Sequence, residues 1–216
     1  MSTENKLDKH LIIVNKTLPL TEEKEELLKE NFNFVPYTDE DGESCLEEET
    51  YKAFNALANL MKKKYHIEID IRSAWRSIET QKKVWQELLE EHGEEWVKTH
   101  VAIPGQSEHH TGLAFDVRFK YPFVPEALQG KAKVLAQKAH LHKKIFEIIE
   151  KEAVQFGLVK RYHADKEDIT GYKEEDWHFR FVGVEHAKEM YEKGMCLEEY
   201  VKELKLKSEK AKETVR

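Results

Sequence analysis

Two strand-like stretches, about sixty residues apart, constrain this chain more than any other feature. Residues 113–119 read Leu-Ala-Phe-Asp-Val-Arg-Phe, and residues 177–182 read Trp-His-Phe-Arg-Phe-Val. Side chains alternate faces along a strand. Leu113, Phe115 and Val117 therefore point to a core, and Ala114, Asp116 and Arg118 point the other way. On the second stretch Trp177, Phe179 and Phe181 share one face, and His178 and Arg180 share the other. If the strands are neighbours, Asp116 and His178 stand together, with the small Ala114 leaving room beside them. His109 lies in the segment that feeds the first strand, and Gly112 permits a sharp turn that folds it back over Asp116. Glu175 is a spare carboxylate three residues before His178. Two histidines, an aspartate and a free carboxylate are the parts of a zinc ion with one open position and a general base beside it. The odd offset from Glu175 to His178 would put them on opposite faces of a regular strand. A bend at Asp176 is expected, with the strand proper starting at Trp177.

Each motif alone has an ordinary explanation. An aspartate on a strand is commonly a surface residue, and a buried histidine is commonly satisfied by a hydrogen bond. The chain has 11 histidines, which makes chance pairings easy, and His110 competes directly with His109. The pair of motifs, each in an apolar-alternating strand, points to a metal. The remaining histidines sit mostly in helical or polar segments. His140 and His142 are two apart and do not share a helix face.

The chain has 216 residues and a net charge of −7. The charge argues against nucleic acid and anionic membrane surfaces, which want a basic face. Hydrophobic residues at 40% allow one domain with a packed core. Cys45 and Cys196 show no ligand spacing and read as two free thiols in a reducing compartment. The apolar run at residues 11–14 is too short for a signal-peptide core or a membrane span, and no longer run follows. The expectation is a cytoplasmic protein without membrane insertion.

Along the chain, residues 11–20 read as a short strand ending in a turn. Thr21 caps a helix to about Phe32. Residues 36–45, with Pro36, Asp39, Asp41 and Gly42, read as loop. Residues 46–65 have helical spacing, with Lys62, Lys63 and Lys64 in the last turn. Residues 67–71 alternate as a strand. Ser77 caps a helix to about His92, closed by Gly93, and a second short helix covers 94–101. After a loop with Pro122 and Pro125, residues 131–156 are helical and stop at Gly157. Residues 184–206 are helical with a break near Gly194. The expected architecture is α+β, a small and mostly antiparallel sheet with helices packed around it. Residues 1–206 form a single domain, and 207–216 form a polar tail that frays.

The pattern Ser107-x-His109-x-x-Gly112-x-Ala114-x-Asp116, followed by Glu175-x-Trp177-His178, resembles the VanY-type D-alanyl-D-alanine carboxypeptidases, members of the zinc LAS metallopeptidases. Ser73-Ala74-Trp75-Arg76-Ser77 with Gln81 resembles that family's Gly-Tyr-Arg-Ser…Gln segment. Residues 158–162 and 169–172 resemble its lead-in to the second motif. The similarity spans about residues 11 to 205, and its spacing looks closest to the VanXY-type D,D-peptidases.

The resemblance implies an LAS/hedgehog-like fold and one zinc ion held by His109, Asp116 and His178. It makes Glu175 the catalytic base and Arg76 the oxyanion stabiliser, with Ser107, Gln81 and Trp177 holding a small peptide substrate. The implied reaction is hydrolysis of D-Ala-D-Ala termini of peptidoglycan precursors. An L,D-carboxypeptidase acting on muropeptide tetrapeptides would use the same site. A non-catalytic zinc module binding peptidoglycan is a third reading, against which the intact Glu175 argues. Two departures stand out. Ala74-Trp75 replaces Gly-Tyr, and Asp176 replaces a proline. A carboxylate beside the base is expected to raise the pKa of Glu175 by like-charge repulsion.

Overall fold

The computed structural model describes residues 9–39, 42–119 and 132–214. In order, the elements are α1 (Glu22–Asn31), β1 (Phe34–Asp39), β2 (Gly42–Glu47), α2 (Glu48–Leu60), β3 (Ile69–Ser73), α3 (Ile78–His92) and α4 (Glu94–His100). They continue with β4 (Ala114–Phe119), α5 (Ala132–Ala153), β5 (Leu158–Tyr162), α6 (Glu167–Thr170), β6 (Glu175–Phe181), α7 (Val184–Lys193) and α8 (Leu197–Thr214). The loop with Pro122 and Pro125 lies outside the described residues. β3, β4, β6 and β5 form, in that order, a fully antiparallel sheet, and β1 with β2 forms a separate hairpin. The architecture is the expected α+β.

Alternation along β4 and β6 decides the rest. Phe115 pairs across the ladder with Phe179, and Asp116 pairs with His178. Leu113, Phe115, Val117, Phe179 and Phe181 are buried against Phe54 and Leu57 of α2 and Phe146 and Ile149 of α5. Burying each such side chain is worth about 1.5–3 kcal/mol. A one-residue slip would turn the whole set to the other face. The apolar face therefore locks the register that brings Asp116 and His178 together. On the outer side, Ser73 of β3 is opposite Asp116, which gives a row Ser73–Asp116–His178 across three strands.

Local signals set several boundaries as expected. Thr21 accepts a hydrogen bond from the Lys24 amide at the start of α1, and Ser77 accepts one from Thr80 at the start of α3. Gly157, at φ 81°, ends the helical run that began with α5.

Other expectations are corrected. Residues 11–20 form no strand. After a 3₁₀ turn, Lys9–Leu11, they run as irregular chain, with Leu11 and Val14 buried. Their apolar side chains fill the core without any ladder. Residues 36–39 and 42–45 are not loop but belong to the paired strands β1 and β2, and 40–41 lie outside the described residues; the pairing tolerates Pro36 because a two-stranded ribbon leaves amides free of a ladder. β5 carries no clear strand pattern because Lys160 and Arg161 interrupt its apolar run. All five of its residues are nonetheless buried. The strand expected at 67–71 lies at Ile69–Ser73. α8 continues through residues 207–214.

β6 starts at Glu175, not at Trp177. Its pairing with β5 runs Lys160↔Phe179 and then Tyr162↔Glu175, so β6 carries two extra residues at this point. The ladder is thus irregular over the residues where a bend at Asp176 is expected.

Gly112 sits at φ 70°, and a Cβ there would run into the ring of Phe34. Gly112→Ala combines a left-handed backbone with overpacking. We expect a loss of at least about 1–3 kcal/mol in urea unfolding. A loss below about 0.5 kcal/mol would show that the turn before β4 can be rebuilt.

Candidate active site and metal centre

The 3₁₀ turn Glu108–Thr111 folds back beneath β4 and presents two histidines with different fates. His109 places Nδ1 2.7 Å from the Ala74 carbonyl oxygen. A carbonyl only accepts, so Nδ1 carries the hydrogen and Nε2 keeps its lone pair. That Nε2 lies 3.5 Å from Asp116 Oδ1. His110 has both nitrogens engaged. Nδ1 donates to the Arg76 carbonyl oxygen at 2.6 Å, and Nε2 accepts from the Gly105 amide at 3.1 Å. Burial pushes the His110 pKa down to about 4, so it is a neutral structural brace. The sequence left these two open, and the hydrogen bonds separate them.

His178 places Nδ1 3.1 Å from Asp116 Oδ1 and 3.7 Å from Glu175 Oε2. The rings of His109 and His178 are perpendicular, with centroids 5.0 Å apart. One donor atom from each of His109, Asp116 and His178 lies within 4.8 Å of the others. Donors about 2.0–2.2 Å from a tetrahedral zinc sit about 3.4 Å from one another. The measured 3.1 and 3.5 Å separations fit that spacing. Two imidazoles and one carboxylate also suit zinc with an open position.

The electrostatics of the cluster are those of a tightly held ion pair. Burial raises the cost of ionising Asp116, but the neighbouring His109 and His178 outweigh it and hold the carboxyl far below its usual range. Burial also disfavours charge on His178, yet hydrogen bonding to Asp116 and the facing Glu108 push its pKa up to about 9. Glu175 is raised, chiefly by burial, with Asp116 and Glu108 adding to the effect and His178 and His109 opposing it. Asp176 does not act in the expected way. Its Oδ1 accepts from Lys160 Nζ at 2.7 Å, and the same ammonium holds Glu174 at 2.9 Å. Lys160 thus grips both residues flanking Glu175 and neutralises the carboxylate that stands where a proline was expected.

These groups open into one cleft of about 400 Å³, lined also by Arg72, Ser73, Arg76, Gln81, Ser107, Tyr162, Tyr172 and Trp177. All eight residues expected to form the site line it: His109, Asp116, His178, Glu175, Arg76, Ser107, Gln81 and Trp177. Arg76 donates to Gln81 Oε1 at 2.9 Å and to Ser73 Oγ at 3.3 Å, neither of them charged. Gln81 uses its other end on the Ala102 carbonyl oxygen at 2.8 Å, so both ends of its amide serve to hold Arg76. Ser107 Oγ accepts from the His109 amide at 3.3 Å.

Sequence reasoning missed Arg72, Tyr162, Tyr172 and Glu108. Glu108 is fully buried, and its Oε1 receives Arg161 Nε at 2.9 Å and Arg180 Nη1 at 3.0 Å. The signal was present. Arg180 shares the face of His178 two residues earlier, and a buried guanidinium requires an anion.

The fold and the cleft define the chain as an LAS-type metallopeptidase in architecture. Residues 43–184 match the family model VanY, D-alanyl-D-alanine carboxypeptidase, and the chain belongs to that family. It is 30% identical over 192 residues to the bifunctional D-Ala-D-Ala dipeptidase and carboxypeptidase VanXYC of Enterococcus gallinarum, covering 88% of this chain and 92% of that one. A D-alanyl-D-alanine carboxypeptidase of Enterococcus faecalis (strain ATCC 700802 / V583) is 31% identical over 140 residues, 61% of this chain. The match spans only 46% of that relative's length.

Among solved structures, the vancomycin-resistance D,D-dipeptidase VanXYg, in complex with a D-Ala-D-Ala phosphinate analogue, superposes with a TM-score of 0.65 at 29% identity. It covers 89% of this chain and 70% of that one. The LD-carboxypeptidase LdcB superposes with 0.64 at 28% identity, covering 90% and 86%.

Proposed function

We propose that this protein is a zinc-dependent D,D-peptidase that hydrolyses D-Ala-D-Ala termini of peptidoglycan precursors, as carboxypeptidase, dipeptidase or both. The observation that carries this reading is the position of Glu175. Its carboxylate lies 3.7 Å from His178 Nδ1, at the edge of the His109–Asp116–His178 cluster and inside the same cleft as Arg76. A site that only bound metal would need no base there.

His109 Nε2, Asp116 and His178 Nδ1 would hold the ion. Zinc, when bound, supplies a Lewis acid and makes a water molecule acidic enough to lose a proton near neutral pH. Glu175 takes that proton on its carboxylate and returns it to the leaving amine. Its raised pKa suits both halves of the transfer. Arg76, held by Gln81 and Ser73, donates to the carbonyl oxygen as negative charge gathers there. Losing one such donor typically costs about 10²–10³ in rate. Gln81 therefore acts through Arg76, whereas Ser107 and Trp177 face the substrate. We place the activity in the cytoplasm, a setting supported by the two unpaired thiols of Cys45 and Cys196.

L,D-carboxypeptidase action on muropeptide tetrapeptides is the second reading, favoured by the nearly equal superposition on LdcB. Amino-acid release from D-Ala-D-Ala, from a pentapeptide ending in D-Ala-D-Ala and from a tetrapeptide with an L,D terminal bond separates the two. Each substrate is run with chelator and with zinc add-back. We expect chelator-sensitive D-Ala release from the first two. Release from the tetrapeptide alone would transfer the protein to the L,D class.

A further inference from the structure

Glu108 is more than a counter-ion for two arginines. Its side chain is wholly buried, and both arginines bind the same oxygen, Oε1. The second oxygen, Oε2, is buried without a hydrogen-bond partner among the described residues. It lies 3.7 Å from His178 Nε2, a buried nitrogen that likewise has none. Buried polar atoms are nearly always satisfied. Two unsatisfied atoms of complementary chemistry, facing each other beside the candidate ligands, call for a joint explanation.

The rest of the network shows why Oε2 points this way. Arg180 also donates through Nη2 to the carbonyl oxygens of His10 at 2.9 Å and Ile12 at 2.8 Å. Arg161 is tied to Glu198 of α8 at 2.6 and 2.9 Å. Both guanidiniums are fixed by groups far apart in the chain. They hold Oε1, and the carboxylate plane then turns Oε2 towards His178.

A neutral imidazole carries its hydrogen on one nitrogen only, and the partner of one nitrogen decides what the other can do. We propose that Glu108 is a positioning residue of the metal centre. Facing His178 Nε2 across 3.7 Å, its negative charge favours the hydrogen on that nitrogen and keeps the Nδ1 lone pair directed at the space shared with His109 and Asp116. The inference rests on the reading that those three residues hold zinc. Carboxylates that orient a ligating histidine typically contribute 10–100-fold to metal affinity.

Zinc affinity, measured by competition with a chromophoric chelator in the absence of substrate, tests the proposal. Glu108→Gln keeps an acceptor for the arginines but turns an amide N–H₂ towards His178 Nε2. That favours the wrong tautomer. We expect zinc binding 10–100-fold weaker in Glu108→Gln. The control is Glu152→Gln, a carboxylate held by Lys64 and Tyr65 that neither lines the cleft nor touches the Glu108 network. It should lower the melting temperature and leave zinc affinity within about twofold.

Equal zinc affinity in folded Glu108→Gln and the unaltered protein would overturn the proposal and reduce Glu108 to charge compensation. If Glu108→Gln does not fold, long-range ¹H–¹⁵N correlation of the His178 ring in the unaltered zinc-loaded protein decides. A downfield-shifted hydrogen on Nε2 that exchanges slowly supports the proposal, and a hydrogen on Nδ1, or one on Nε2 with the shift of an unpaired imidazole N–H, refutes it. Absence of zinc binding by the unaltered protein would instead overturn the metal reading itself, and this inference with it.

Discussion

Replacing Glu175 by alanine or glutamine should abolish most turnover while leaving zinc bound. The carboxylate stands 3.7 Å from His178 Nδ1 and, among the described residues, belongs to no hydrogen-bonded core network that would collapse without it. General acid–base catalysis by a positioned group is worth about 10²–10⁴ in rate, and kcat should fall by that factor. Stoichiometric metal, read by elemental analysis, should be unchanged. A variant that still turns over within threefold of the unaltered protein would remove Glu175 from the mechanism. The pH profile offers an independent check. The base must be ionised to accept a proton, and burial raises its pKa. Activity is therefore lost as pH falls, and the acid limb of kcat/KM should lie above the ordinary glutamate value of about 4.3. An acid limb at or below that value would point to a solvated carboxylate.

The second large effect concerns the ligands. Asp116→Ala should lose zinc and activity together. It removes the one anion that His109 Nε2 and His178 Nδ1 share, at 3.5 and 3.1 Å. His109→Ala should do the same. His110→Ala should keep zinc and lose stability instead, because it leaves the Gly105 amide and the Arg76 carbonyl without their ring partner. An unpaired buried group costs about 1–3 kcal/mol. Zinc retained in His109→Ala and lost in His110→Ala would reverse the assignment. In the metal-free protein His178 is protonated up to about pH 9. Zinc must displace that proton, so affinity should rise with pH across the neutral range.

Much of this centre is legible in the sequence because it lies on two alternating strands. Once Phe115 and Phe179 are assigned to the core, Asp116 and His178 have no other face to occupy. Caps were equally readable, as at Ser77 and Thr21, because a side-chain oxygen placed before an apolar-periodic run has one efficient use. What escaped did so for physical reasons. The β1–β2 hairpin hides behind Pro36 and acidic residues that usually mark loops. β5 carries Lys160 and Arg161 inward, where their partners come from residues 14 to 53 positions away. The apolar run at residues 11–14 is core material whose neighbouring carbonyls serve Arg180 rather than a strand. Arg180 on the face of His178 announces a buried anion, but that Glu108 supplies it is decided by β5 and β6, and no local spacing predicts a triad assembled by topology.

The tie between Arg161 and Glu198 also sets where the chain can be cut or extended. Glu198 lies in the first turn of α8, and it is the second carboxylate holding the fully buried Arg161. Thr214 is sixteen residues further on, about 24 Å along a helix rising 1.5 Å per residue. Among the described residues, none of α8 lines the cleft. A truncation that removes the start of α8 would be felt at Glu108, however far from the substrate the cut is made.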